Sequence, residues 1–157
     1  MAGRARSFTE IVASLVDTNI LVYRCDARDP AKRTAARETL RRGLEENQLC
    51  IPHQALVEFV NAVTRGRAGT RPLLTREEAW DQAEDFLTEF PILYPNEAMF
   101  RTALRGMATY RLPWYDALLW AYAEHYGLAE ILSEDFEHGR RYGTVRVRNP
   151  FADLGLA

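Results

Sequence analysis

Short apolar runs alternate along this chain with longer stretches in which apolar residues recur every three or four positions. Ala13-Ser-Leu-Val16, Leu49-Cys-Ile51, Ile92-Leu-Tyr94, Ile131-Leu132 and Thr144-Val-Arg-Val147 are runs of the first kind and predict strands. The segments between them read as helices. A helical pattern follows Asp17-Thr18-Asn19. Asp29-Pro30 supplies an N-cap and a proline at the first helical position, opening a helix to about Asn47. Pro52 starts the next, to about Arg65, with Leu56, Phe59, Val60 and Val63 as its core face and Gln54, Glu58, Asn61 and Arg65 as its polar stripe. After a loop at 66–72, Thr75-x-x-Glu78 forms a capping box. Behind it Ala79, Trp80, Ala83, Phe86, Leu87 and Phe90 repeat at helical spacing. Asn96 caps a helix to about Tyr110, and Pro113 opens another that Gly127 stops. Strands this short between helices predict right-handed βαβ crossovers and an α/β fold, a parallel sheet covered on both faces.

Composition narrows the class without changing the fold. At 157 residues, 47% hydrophobic and 27% charged, the chain predicts one globular domain over residues 12–157 with a flexible N-terminal extension over 1–11. No apolar run approaches the roughly 18 residues that span a bilayer. The stretch Ile11 to Val16 is too short for a signal-peptide core and ends in Asp17, so a cytoplasmic protein is expected. Cys25 and Cys50 match no zinc spacing, and Cys50 in Leu49-Cys-Ile51 reads as a small buried hydrophobe. The net charge of −2 provides no global attraction to nucleic acid. Of 20 basic residues all but Lys32 are arginine, which binds phosphate bidentately and stacks on bases. Arg65, Arg67 and Arg71, and Arg140 and Arg141 beside His138, are the local candidates for substrate contact.

Four acids carry the candidate chemistry. Asp17 and Asp135 each follow an apolar run, and in an open parallel sheet ligands bind at the carboxyl ends of strands. Asp116 has Leu119, Trp120 and Ala123 at i+3, i+4 and i+7, an apolar setting in which an unpaired carboxylate is costly. Glu58 lies on the polar stripe of its helix. Each also has a bland reading: Asp17 as a helix cap, Asp116 as a first-turn acid favoured by the helix dipole, Glu58 and Asp135 as solvated groups. Clustered, four like charges repel unless a divalent cation lies among them, and carboxylates without His or Cys suit Mg²⁺ or Mn²⁺. That predicts a metal-dependent phosphodiesterase. His53, His125 and His138 have no metalloprotease spacing, and no phosphate-binding glycine loop is present.

The segments Leu15-Val-Asp17-Thr-Asn-Ile-Leu-Val22, Ala55-Leu-Val-Glu58-Phe, Leu112-Pro-Trp-Tyr-Asp116-Ala-Leu-Leu119 and Ile131-Leu-Ser-Glu-Asp135-Phe136, in this order, resemble those of PIN-domain ribonucleases. Within that family the chain is most similar to VapC-type toxins of bacterial toxin–antitoxin pairs. The ending His138-Gly-Arg-Arg-Tyr-Gly and Val147-Arg-Asn-Pro-Phe151 adds to the likeness, which covers roughly residues 13–151. The resemblance implies a PIN-like sheet of about five parallel strands between helices, and a homodimer. It implies an acidic site for Mg²⁺ or Mn²⁺, an RNA substrate, and a small antitoxin that binds across the helices and blocks the cleft.

On this reading Asp17 and Asp116 bind the metal directly, and Glu58 and Asp135 complete the site directly or through water. Asn19 and Ser133 orient those carboxylates. Arg65, Arg67, His138 and Arg140 contact RNA. Phe59, Trp80, Phe86 and Phe90 are expected to leave aromatic surface for an antitoxin segment. The alternatives are a housekeeping RNA-processing nuclease, a non-catalytic PIN-like module, whose sign would be an incomplete acidic set, and a phosphotransfer domain using Asp17. The last wants a second Asp where the chain has Asn19 and a late lysine where it has none.

Overall fold

A computed structural model describes residues 13–66 and 68–154. The expected extension at 1–11, and Arg67, lie outside the described residues. Strands β1 (Ser14–Val16), β2 (Leu49–Pro52), β3 (Ile92–Leu93), β4 (Glu130–Leu132), β5 (Arg141–Tyr142) and β6 (Val145–Arg148) form one sheet in the order β3-β2-β1-β4-β6-β5. Helices α1 (Thr18–Cys25), α2 (Pro30–Glu45), α3 (His53–Thr64), α4 (Arg76–Glu89), α5 (Glu97–Tyr110) and α6 (Trp114–His125) cover it. Five strands are parallel, as expected. The sixth, β5, pairs antiparallel with β6 through Arg141↔Arg146 and Tyr142↔Val145. A two-residue strand before the turning Gly143, which has φ +63°, is too short to leave a period-2 signal in the sequence.

Alternation along the strands divides the core in two. Leu15, Cys50, Ile131, Val145 and Val147 point to α5 and α6, while Val16, Leu49, Ile51 and Leu132 point to α1–α4. Both faces are dry, which is why the strands read as continuous apolar runs. Cys50 is indeed a buried free thiol, and Cys25 is free and half-buried. No helix among the described residues is long and apolar enough to cross a membrane.

The cap signals work where the sequence placed them. Thr75 and Glu78 exchange the two capping-box bonds, Asp29 Oδ1 accepts from Lys32 N, and Asn96 Oδ1 accepts from Met99 N. The helical stripes need correction. On α3 the core face is Ala55, Leu56, Phe59 and Val63, whereas Val60 is exposed. On α4 Ala79, Phe86 and Phe90 are buried, but Trp80 and Leu87 face out. Phe59 and Phe86 meet edge to face at 5.2 Å, with Phe90 against Phe86, so the expected aromatic surface on these helices reduces to Trp80. Further outward apolar residues are Val57 and Val60 on α3 and Phe100, Leu104 and Met107 along α5.

The α5–α6 contact fixes the helix that carries Asp116. A Cβ at Gly106 would lie 2.6 Å from Trp120 Cε3, and Trp120 is pinned by donating Nε1–H to Tyr142 O at 3.0 Å. Replacing a helical glycine with alanine ordinarily stabilises by about 1 kcal/mol. Here the close approach reverses the sign. Gly106→Ala is expected to lose roughly 1–3 kcal/mol by overpacking, read as a lower urea midpoint; an unchanged or higher midpoint would contradict this packing.

Candidate active site

The strand order reverses at the centre of the sheet. From β1 the chain proceeds outward to β2 and β3, then crosses to β4 on the other side of β1. Such a switch point opens a crevice at the carboxyl ends of the two strands. Here β1 and β4 pair through Val16↔Leu132, and Asp17 N–H continues the ladder to Leu132 O at 3.0 Å. Asp17 and Ser133 therefore sit side by side just beyond the last pair.

Asp17 does two jobs. As the N-cap of α1 it accepts from Thr18 N at 2.6 Å, and its other oxygen accepts from Ser133 Oγ at 2.6 Å. Asn19 Nδ2 lies 3.3 Å from Asp17 Oδ2, 3.3 Å from Ser133 Oγ and 3.1 Å from Asp135 Oδ2. Ser133 Oγ also accepts from Asp135 N at 3.0 Å. The Asp17 and Asp135 carboxylates are thus joined by two uncharged side chains, Asn19 and Ser133. Across the cleft, Glu58 accepts from Thr18 Oγ1 at 2.7 Å and from Gln54 Nε2 at 3.0 Å.

Asp17, Glu58, Asp116 and Asp135 all line one cleft of about 1120 Å³, together with Glu97 and the apolar side chains of Val57, Phe100, Tyr115 and Leu119. No lysine or arginine is among its described lining residues, and His53 is its only basic group. The polar stripe of α3 is therefore more than a solvated face: Gln54, Glu58 and Asn61 line the cleft, and Arg65 does not. Arg65, His138 and Arg140 stand outside the lining. His138 Nδ1 accepts from Asn149 N, and Arg140 pairs with Glu137 and stacks over Tyr142. Glu134, beside Asp135, turns away from the cleft to Lys32 Nζ at 2.8 Å.

Burial sets the electrostatics. Asp17 is 7% exposed, and desolvation pushes its carboxyl up to about 7; the Ser133 and Thr18 bonds pull down, and the charges of Asp135 and Glu58 push further up. Asp116, half-buried, is also raised, first by desolvation and then by Asp135 and Glu58. Among the described residues no three of these groups close around a single point. The acids line one cleft, where their like charges repel. The donor set is hard oxygen alone, which fits Mg²⁺ or Mn²⁺. Asn19 Oδ1, buried and without a partner among the described residues, leaves room for one more donor such as a bound water.

The family model described as the PIN domain matches residues 14–143. The chain belongs to the PIN domain family. Several of its solved structural neighbours are proteins of toxin–antitoxin pairs. DNA-bound VapBC from Salmonella typhimurium aligns at a TM-score of 0.66 with 15% identity, over 88% of this chain and 98% of that one. VapBC2 from Rickettsia felis, bound to a promoter DNA fragment, gives 0.66 and 14% over 88% and 98%. VapC20 from Mycobacterium tuberculosis, a Sarcin-Ricin loop cleaving toxin, gives 0.59 and 16% over 85% and 99%. At such identities the likeness establishes the PIN fold. No curated protein sequence matches the chain.

The raised carboxyl of this PIN domain makes its stability depend on pH. With a folded pKa near 7 against an ordinary 3.8, Asp17 binds a proton more tightly in the folded state. Its contribution to stability is greatest below pH 4 and is lost as pH rises toward 7. Asp17→Asn keeps the acceptor for Thr18 N–H and removes the buried charge. In chelator at pH 8 it is expected to melt higher than wild type by a few degrees, since 1 kcal/mol shifts a domain of this size by roughly 2–4 °C. The difference shrinks at pH 5. Equal melting temperatures at both pH values would show that the buried charge is already neutralised.

Proposed function

We propose that this PIN domain is a Mg²⁺- or Mn²⁺-dependent endoribonuclease acting as the toxin of a VapBC-type pair in the cytoplasm. The observation that carries the proposal is the cleft itself. Four carboxylates, from just beyond β1, from α3, from α6 and from the turn after β4, line one cleft at the switch point of the sheet, one is buried, and no lysine or arginine is among the described lining residues. A phosphodiester would be repelled by such a surface unless a divalent ion intervened.

Asp17 and Asp116 are the residues that would hold the ion, with Glu58 and Asp135 completing the set directly or through water. When bound, the metal supplies an activated water for in-line attack on phosphorus and neutralises charge on the leaving oxygen. The chain's own contribution is orientation. Ser133 and Asn19 fix Asp17 and Asp135, and Thr18 fixes Glu58, with neutral donors that leave the negative charge intact.

The neighbours that are complexes with an antitoxin, two of them on DNA, support a small antitoxin as partner. The exposed apolar residues Val57 and Val60 of α3 and Phe100, Leu104 and Met107 of α5 support a homodimer. A non-catalytic module would be expected to lack part of the acidic set, and here the set is complete.

Asp116→Asn keeps the shape and removes one charge. It is expected to reduce RNA cleavage at least about 100-fold, since losing a direct ligand should cost no less than the roughly 10–100-fold of losing a group that merely orients one, while circular dichroism and melting remain close to wild type. Excess chelator should have the same effect on the wild type. Full activity in either case overturns the mechanism. Expressed alone, the protein should arrest growth, and its antitoxin should relieve the arrest. A protein that cuts RNA yet is harmless at high expression is a processing nuclease with the same site.

A further inference from the structure

Gln54 occupies the first turn of α3, one turn before Glu58. Its Nε2 donates to Glu58 Oε1 at 3.0 Å and to Tyr115 O at 3.3 Å. The first bond stays within α3, and the second crosses the cleft to the first turn of α6, at the residue before Asp116. Neither acceptor can donate in return, so only the amide nitrogen, with its two hydrogens, satisfies both at once. The other Glu58 oxygen is taken from the opposite side by Thr18 Oγ1 at 2.7 Å. Both oxygens of Glu58 are therefore held by uncharged donors.

The helix that Gln54 reaches has no side-chain cap at this end; its first turn is otherwise held by packing, with Trp114 edge to face on Phe100 at 5.1 Å. Pro113 is the N-cap of α6 and makes no side-chain capping bond, and Tyr115 is 67% exposed. A lysine or arginine at position 54 would bind Glu58 more strongly. It would also place a tethered cation in a cleft whose described lining contains no lysine or arginine. The neutral amide joins the two walls without neutralising either acid.

We infer that Gln54 is a positioning residue that clamps α3 to the first turn of α6, setting the separation of Glu58 and Asp116 and with it the capacity of the cleft for a divalent ion. This rests on the metal-dependent reading above. The test compares wild type, Gln54→Met and Gln54→Lys by isothermal titration with Mn²⁺ alone, thermal melting in chelator, and RNA cleavage as a function of Mn²⁺ concentration. Gln54→Met keeps the length and apolar stem and removes the donor. It is expected to weaken Mn²⁺ binding by roughly 10-fold, the effect of losing a group that orients a metal ligand, with cleavage largely restored at saturating Mn²⁺ and melting unchanged. Gln54→Lys restores a donor but adds charge, and is expected to bind Mn²⁺ no better than the Met variant. If wild type binds Mn²⁺ and Gln54→Met binds it equally well, the clamp is overturned alone. If the Met variant loses binding only together with its melting temperature, the role is structural and the inference is overturned. A wild type that binds no Mn²⁺ overturns the metal reading and the clamp with it.

Discussion

A carboxylate almost wholly withdrawn from water, with two like charges nearby and no lysine or arginine among the described residues of its cleft, is the constraint around which this molecule is arranged. Asp17 reaches that position because β1 is only three residues long and ends where β4 ends. The next residue on each strand, Asp17 and Ser133, then shares the mouth of the central crevice. The hydrogen bonds from Ser133 and Thr18 return part of what desolvation removes, since a buried acceptor left unmade costs roughly 1–3 kcal/mol. They do not return all of it, because desolvation remains the largest influence on the group. A divalent cation bound among the acids would offset both their mutual repulsion and the cost of burying the Asp17 charge.

The rest of the fold keeps the acids in place without neutralising them. Behind the site, Lys32 bonds Glu134 at 2.8 Å and Tyr23 Oη at 3.2 Å, and lies 4.7 Å from the Tyr23 ring centre. Tyr23 in turn meets Phe151 edge to face at 5.1 Å. This knot ties α1, α2, the turn after β4 and the C-terminal segment together. It also holds the Lys32 ammonium on Glu134, outside the cleft lining, while Asp135 faces inward. On the cleft side the bridging groups are Thr18, Asn19, Gln54 and Ser133, all neutral. Neutral donors near the ligands and a charged pair behind them give both rigidity and an undiminished negative field.

Much of this was legible in the sequence, for reasons particular to each residue. The short apolar runs were readable because the strands are buried on both faces, and Asp17 and Asp135 because each breaks such a run at its carboxyl end. Helix boundaries followed from Asp29-Pro30, Thr75-x-x-Glu78 and Asn96, whose caps are local. What failed depended on long-range packing. Val60 and Trp80 sit within the apolar stripes of their helices yet face outward, because a stripe defines an arc and the neighbouring helices decide which part of it is covered. β5 is a two-residue edge strand, defined by its partner alone. Gln54 gave no signal beyond its position four residues before Glu58, since its second bond is to a backbone carbonyl 61 residues away. The basic residues were singled out as local clusters, and a cluster in sequence does not say which wall of the molecule it occupies.

On the proposed function, the cleft between β1, α3 and α6 takes a divalent ion. Anomalous diffraction from a crystal of the wild-type protein soaked in Mn²⁺ tests it most directly. A peak in the cleft, coordinated by oxygens of Asp17 and Asp116, is the result predicted. Mn²⁺ found only on outer surfaces, with the cleft empty and Asp17 still hydrogen-bonded as before, would contradict it.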